Sequence, residues 1–318
     1  MYDLKNARRV HSRIGFGLSA GIALVYVLTV GVSVLFRLCR VNVSADVSAL
    51  LSSLITYGCA FPLTYLIIRR LPAQAPRTER LGKRFFVLLL ICYPILSAGN
   101  WVGNLLSMLL SFGRAENPVS ETVSSLHPLS VFVMTVLFAP VAEELLFRKL
   151  LLDRCARFGE VPAILFSALL FGLYHQNFFQ FFYAFGLGLV FAYVYLRTGK
   201  LRYTVAMHAV INFFGGFVPA LLQRLPGAAA FLGEVQDSAA SLADNLLTAL
   251  CYCSYYTLIS GAVIAGLILL VKRARYLTFL PASEELPKRS AFRAGYVNAG
   301  VIVFVTVCLA LSVLSLFV

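Results

Sequence analysis

Runs of about twenty apolar residues, long enough to cross the roughly 30 Å hydrocarbon core of a bilayer as helix, recur along this 318-residue sequence from end to end. They occupy 16–36, 47–68, 85–112, 129–152, 161–175, 178–196, 203–222, 247–271 and 297–317. Lipid offers unpaired backbone groups no partner, so a chain of this kind must span as helices or as a closed barrel. The ten-residue alternating segments of an outer-membrane barrel are absent. The sequence therefore predicts an all-α, polytopic transmembrane helical bundle of about eight to nine spans. With 60% hydrophobic and only 13% charged residues, there is too little polar surface for an ordinary soluble domain.

Charge decides orientation. The 27 Lys and Arg against 14 Asp and Glu give +13, which in a soluble protein would point to nucleic acid. Here the cations gather in alternate loops: Lys5 to Arg13; Arg69 to Arg84; Lys149, Arg154 and Arg157; Arg197, Lys200 and Arg202; and Lys272 to Arg293. The intervening loops are sparser and more acidic, so the positive-inside bias puts the basic loops and the N-terminus in the cytoplasm. The expected partners are a lipid bilayer and a peptide or membrane-protein substrate, with no nucleic acid. The first apolar run follows a basic stretch but is too long for a signal peptide and lacks its cleavage site, so it reads as a retained anchor. Short loops and the missing organellar signal favour a bacterial plasma (inner) membrane. The seven cysteines, odd in number and mostly inside apolar runs, read as packing thiols.

Two segments, 71–82 with Pro72 and Pro76, and 281–293, read as solvated loops, and 228–245 as a surface helix on the opposite side. No repeat of 20 to 50 residues is present. The expected division is 1–128 for three N-terminal helices and a basic loop, 129–223 for a catalytic core, and 224–318 for an outer loop and the last spans.

Within the fourth run stands Glu143-Glu144-Leu145-Leu146-Phe147-Arg148. A charge at bilayer depth costs about 2.5 to 3.5 kcal/mol on insertion scales, so adjacent carboxylates need a reason. Residues four apart share a helix face, which sets Glu144 over Arg148 in the favourable acid-before-base order. Glu143 points elsewhere and needs a partner on another helix, which makes it a general-base candidate. An interhelical salt bridge is the plain alternative. The fifth run ends at His175, and the seventh carries His208 and Asn212 four apart on one face. Each histidine alone is ordinary packing. Together with Glu143 on three helices that must turn polar groups inward, they predict a convergent cluster. From the basic ends, at about 1.5 Å per residue, Glu143 lies about 15 Å deep, His208 about 9 Å and His175 about 22 Å. Tilt, a bend near Pro162 or an inward turn at Gln176-Asn177 is needed to level them.

These residues resemble the CPBP intramembrane proteases, which group the CAAX prenyl endopeptidases of Ras-converting-enzyme type with bacteriocin-processing and abortive-infection-type proteins. That family's motifs E-E-x-x-x-R, F-x-x-x-H and H-x-x-x-N/B correspond in order to Glu143-Glu144 with Arg148, Phe171 with His175, and His208 with Asn212. The likeness extends over 129–214, including Phe185-Gly186-Leu187-Gly188 and the turn Tyr195-Leu196-Arg197-Thr198-Gly199. It implies an intramembrane endopeptidase in which Glu143 and His175 activate water, His208 and Asn212 stabilise the oxyanion, and Glu144 and Arg148 support. Two mechanisms stay open. Glu143, His175 and His208 could hold Zn²⁺, or Glu143 and His175 could polarise water without metal; no cofactor is assigned, and the metal-free form is favoured because no H-E-x-x-H occurs and Asn is a poor zinc ligand. A proton-coupled transporter using the same residues as a relay, and a non-catalytic immunity or scaffold protein, are the rival functions.

Overall fold

Why the chain turns where it does is visible in its caps. A computed structural model describes residues 4–74, 76, 78–232 and 242–317, and among these every regular element is helical. The helices are α1 (Leu4–Leu38), α2 (Ala45–Ile68), α3 (Arg84–Leu110), α4 (Pro118–Ser125), α5 (Pro128–Phe158), α6 (Glu160–Tyr174), α7 (Phe178–Thr198), α8 (Leu201–Leu222), α9 (Leu242–Arg273), α10 (Lys288–Tyr296) and α11 (Ala299–Leu314). Ser44, Asn117, Asn177 and Asn298 cap α2, α4, α7 and α11, each accepting a backbone N–H of the first turn. Gly199, left-handed at φ 62°, ends α7.

Each of the nine apolar runs falls largely in a helix, the last, 297–317, being helical over Ala299–Leu314. Among the described residues, seven helices are long and apolar enough to cross a bilayer. The pair α10 and α11, bent by 62°, adds an eighth, and the fifth run becomes the 15-residue α6. At about 1.5 Å per residue α6 reaches only about 22 Å, short of a full hydrocarbon core. Several expectations need correction. The first helix begins at Leu4, so the basic stretch ahead of the first apolar run is itself helical, and His11 within it is buried against the rings of Phe158 and Phe166. The 281–293 segment is not all loop, because Lys288–Tyr296 is helical and buries Ala291, Ala294 and Gly295. Of the 228–245 segment, 233–241 lie outside the described residues. Ala228–Phe231 is a short helix whose Phe231 ring stacks on Tyr252 of α9 at 4.6 Å.

The 71–82 stretch is tied down as well. Gln74 N–H donates to the Asp153 carbonyl at 2.6 Å and Glu79 N–H to that of Arg197 at 2.9 Å. Glu284 and Leu286 donate to the carbonyls of Arg157 and Phe158 at 2.8 and 3.1 Å, and Leu71, Leu81 and Leu286 are buried. These apolar anchors pull both connections onto the basic end of the bundle and satisfy helix-terminal carbonyls there. Arg13 reaches Ile67 O, so the basic N-terminal turns lie at that end too. At the other end Asp46 accepts the His127 N–H, and Arg224 donates to Ser124 and Leu126 carbonyls.

Close helix contacts use glycine. A methyl at Gly300 would overlap the Ser12 carbonyl, so α1 and α11 cross with their backbones touching. Gly99 and Gly103 of α3 likewise admit the backbone of Phe178, Phe179 and Tyr183 in α7. Small residues at crossings are how helices gain contact where lipid supplies no hydrophobic drive.

Four wide, π-type turns interrupt the helices: Ile55–Ala60 in α2, Phe132–Phe138 and Leu145–Leu152 in α5, and Phe213–Phe217 in α8. Three of them end two residues before a proline, namely Pro62, Pro140 and Pro219. Proline has no N–H and its ring crowds the carbonyl four residues back, and widening the preceding turn relieves both. The remaining turn, Leu145–Leu152, is followed by no such proline. These turns re-aim the polar residues beside them: Tyr57 sits within the first, Glu143 and Glu144 between the second and third, and Asn212 just ahead of the last.

Candidate active site

The polar chain starts from Arg148. The guanidinium is fully buried, with Nε 3.0 Å from Glu144 Oε2, the i,i+4 pair that the spacing predicts. Its Nη1 donates to Ser167 Oγ at 3.3 Å, and Ser167 in turn donates to the Phe147 carbonyl at 2.8 Å. The rings of Phe171 and Phe191 lie 4.6 and 5.7 Å from its carbon. Aromatic faces and one hydroxyl thus stand in for water around the cation.

Glu144 does more than neutralise Arg148. Its Oε1 lies 3.1 Å from His208 Nδ1, so Nδ1–H donates to the carboxylate and the imidazole is held in one orientation. The other ring nitrogen, Nε2, faces Glu143 Oε2 at 3.8 Å, beyond hydrogen-bond length. Glu143 is left outside the Arg148 pair, and its Oε1 accepts from the Tyr57 hydroxyl of α2 at 3.3 Å. The sequence reading had not singled out Tyr57, because it lies outside all three motifs.

His175 caps α6. Its Nδ1–H donates to the Phe171 carbonyl at 2.9 Å, which leaves Nε2 as the lone-pair nitrogen. Glu143 and His208 are among its electrostatic neighbours, but no hydrogen bond joins it to either among the described residues. The imidazole nearest Glu143 is therefore that of His208. A tight turn follows at Gln176-Asn177: Gln176 is left-handed at φ 55°, the Asn177 amide donates back to the His175 carbonyl at 2.7 Å, and Tyr26 of α1 donates to Gln176 Oε1 at 2.8 Å. Because α6 is short, this turn is set within the bundle. Phe171, the aromatic of the second motif, joins the parts, with its ring 5.1 Å from that of His175 and 5.9 Å from that of His208, and Arg148 over its face.

Asn212 lies on the His208 helix but has a structural duty. Ala139 N–H bonds the Met134 carbonyl across the wide turn, and position 140, the matching donor for Thr135, is proline. The Thr135 carbonyl has no helical partner, and Asn212 Nδ2 supplies one at 2.8 Å. Replacing Asn212 by alanine is expected to cost about 1–3 kcal/mol for the stranded carbonyl. Adding Pro140→Ala, which restores an N–H, should return that stability in a thermal unfolding assay without restoring turnover. Recovery of both would show that Asn212 has no part beyond holding α5.

Glu143, His175 and His208, the set a zinc-bearing site requires, do not gather into a three-ligand cluster among the described residues. As placed, the donors do not fit a metal.

Residues 125–214 match the family described as type II CAAX prenyl endopeptidase Rce1-like. No curated protein and no solved structure matches the chain. The matched stretch holds Glu143, Glu144, Arg148, Phe171, His175, His208 and Asn212, whereas Tyr57 comes from outside it. The chain is thus a multi-pass membrane protein whose residues 125–214 are Rce1-like, a match that supports a CPBP-type intramembrane protease.

Proposed function

We propose that the protein is an endopeptidase that hydrolyses a peptide bond in or near the bilayer, with water activated at Glu143. The observation that carries this reading is the pair of unbonded groups, Glu143 Oε2 and His208 Nε2, which face each other at 3.8 Å behind a fixed Arg148–Glu144–His208 chain. A water lodged beside both is within reach of a carboxylate and an imidazole at once. Glu143 takes its proton as the oxygen attacks the scissile carbonyl. The same proton passes to the amine as the C–N bond breaks, leaving a new carboxyl and a new amino end.

His175, whose Nε2 carries the lone pair, assists at the water. His208 in its doubly protonated form gives Nδ1–H to Glu144 and Nε2–H to the oxyanion. An amide has two N–H groups, so Asn212 keeps one for the oxyanion after serving Thr135. Donors fixed before the charge develops need no reorganisation when it does. Glu144 and Arg148 act through His208 as positioning residues. The basic loops favour a cytoplasmic N-terminus.

Peptides extracted from membranes of wild-type cells and of cells carrying Glu143→Gln test the reading. Species that disappear with the variant, at equal protein level, are expected. An unchanged profile across growth conditions contradicts it.

A further inference from the structure

Tyr57 is one end of a larger feature. Between α2, α4 and the start of α5 lies a groove of about 240 Å³ whose lining includes Ser52, Ser53, Thr56, Tyr57 and Thr122. Positions 52 and 56, and likewise 53 and 57, are four apart, so four of these hydroxyls form a double row down one face of a membrane helix. Hydroxyls gain nothing from lipid, and polar groups at this depth turn toward protein or water. The row ends where the Tyr57 hydroxyl meets Glu143. Among the described residues, no charged side chain lines the groove.

We propose that this groove binds the extended main chain of the peptide substrate and leads it to Glu143, an assignment that rests on the endopeptidase reading above. An extended segment inside a bilayer carries N–H and C=O groups that must find partners or cost several kcal/mol each. Ser52 and Ser53 can donate or accept, whereas Thr56, Thr122 and Tyr57, whose hydroxyls donate to the Ser52 carbonyl, the Pro118 carbonyl and Glu143, keep lone pairs that accept main-chain N–H groups. Such hydroxyls distinguish little between side chains. A lipid tail has nothing to pair with them, and an ionic ligand would find no counter-charge. The groove lies at the end of the bundle away from the basic loops, where Asp46 meets His127. Substrate therefore enters from that end, across helices outside the Rce1-like match. Tyr57, at the foot of the groove, is a positioning residue that holds one Glu143 oxygen and leaves the other toward His208.

The test uses full-length protein in nanodiscs, with the exposed and half-buried Cys39, Cys59, Cys251 and Cys253 replaced by serine. Ser53→Cys should react with a sulfonated thiol reagent at least about tenfold faster than Leu54→Cys on the lipid-exposed face, since only a wetted thiol ionises to the reactive thiolate. In cells, Ser53→Trp and the hydroxyl-free isostere Thr56→Val should both reduce the Glu143-dependent membrane peptides, whereas Leu54→Trp should leave them at wild-type level. Thr56→Val covers the case in which the tryptophan variant fails to fold. Equal thiol rates at positions 53 and 54, or wild-type processing by the groove variants while Glu143→Gln still abolishes it, overturns the groove alone. Loss of no peptide in Glu143→Gln overturns the endopeptidase reading and the groove's substrate with it.

Discussion

Replacing Arg148 by methionine is expected to destabilise the protein by about 3–5 kcal/mol, the cost of leaving a buried carboxylate without its counter-ion. Glu144 has no solvent exposure, and among the described residues the only other charged or titratable group bonded to it is His208. The methionine fills the space near Phe171 and Phe191 but returns neither the charge nor the bond to Ser167. Adding Glu144→Gln should recover most of the loss, because removing both charges of a buried pair is far milder than removing one. Unfolding curves for the single and double variants in one detergent check this. A single variant as stable as wild type would mean that Arg148 does not hold Glu144.

Replacing His208 by glutamine should have the opposite profile. The Glu144–Arg148 pair remains, so the fold persists, while turnover falls by about 10²–10³, the range for loss of one oxyanion donor. Glutamine can offer an N–H to Glu144 but cannot also present a second fixed donor beside Glu143. Rates on any Glu143-dependent peptide, measured beside the unfolding midpoint, separate the two outcomes. Activity within about tenfold of wild type would remove His208 from the chemistry.

This contrast also shows what could be read before any coordinates. The Glu144–Arg148 pair follows from helix spacing alone, and the helical bundle follows from apolar runs and the ban on unpaired backbone in lipid. Convergence of Glu143, His208 and His175 was expected from the cost of turning polar groups to lipid. The partners within the cluster were not legible. Helix periodicity says which face a residue occupies but not which helix it meets, so the Glu144–His208 bond and the Tyr57–Glu143 bond emerge only from packing. Counting residues from the basic ends takes every helix to start level and run straight, so it carries no information on the short α6 and the left-handed Gln176 that follows it.

The wide turns had a sequence signal that went unused. Pro62, Pro140 and Pro219 each sit two residues beyond one, and the second explains why Asn212 is committed to Thr135. The basic-end connections are irregular and mostly exposed up to Lys288, as expected, but they are docked. Pro72, Pro76 and Pro281 signal irregular backbone, but Leu71, Leu81 and Leu286 among them are apolar anchors that dock it.

The central claim is that Glu143 activates the water that cleaves a peptide bond, and isotopic water tests it most directly. Isolated membranes of wild-type and Glu143→Gln cells are incubated in ¹⁸O-labelled water, and newly formed peptide C-termini are examined by mass spectrometry. Wild-type membranes should accumulate ¹⁸O-bearing carboxyl ends that Glu143→Gln membranes lack. The same labelled ends forming at the same rate in both would contradict the account.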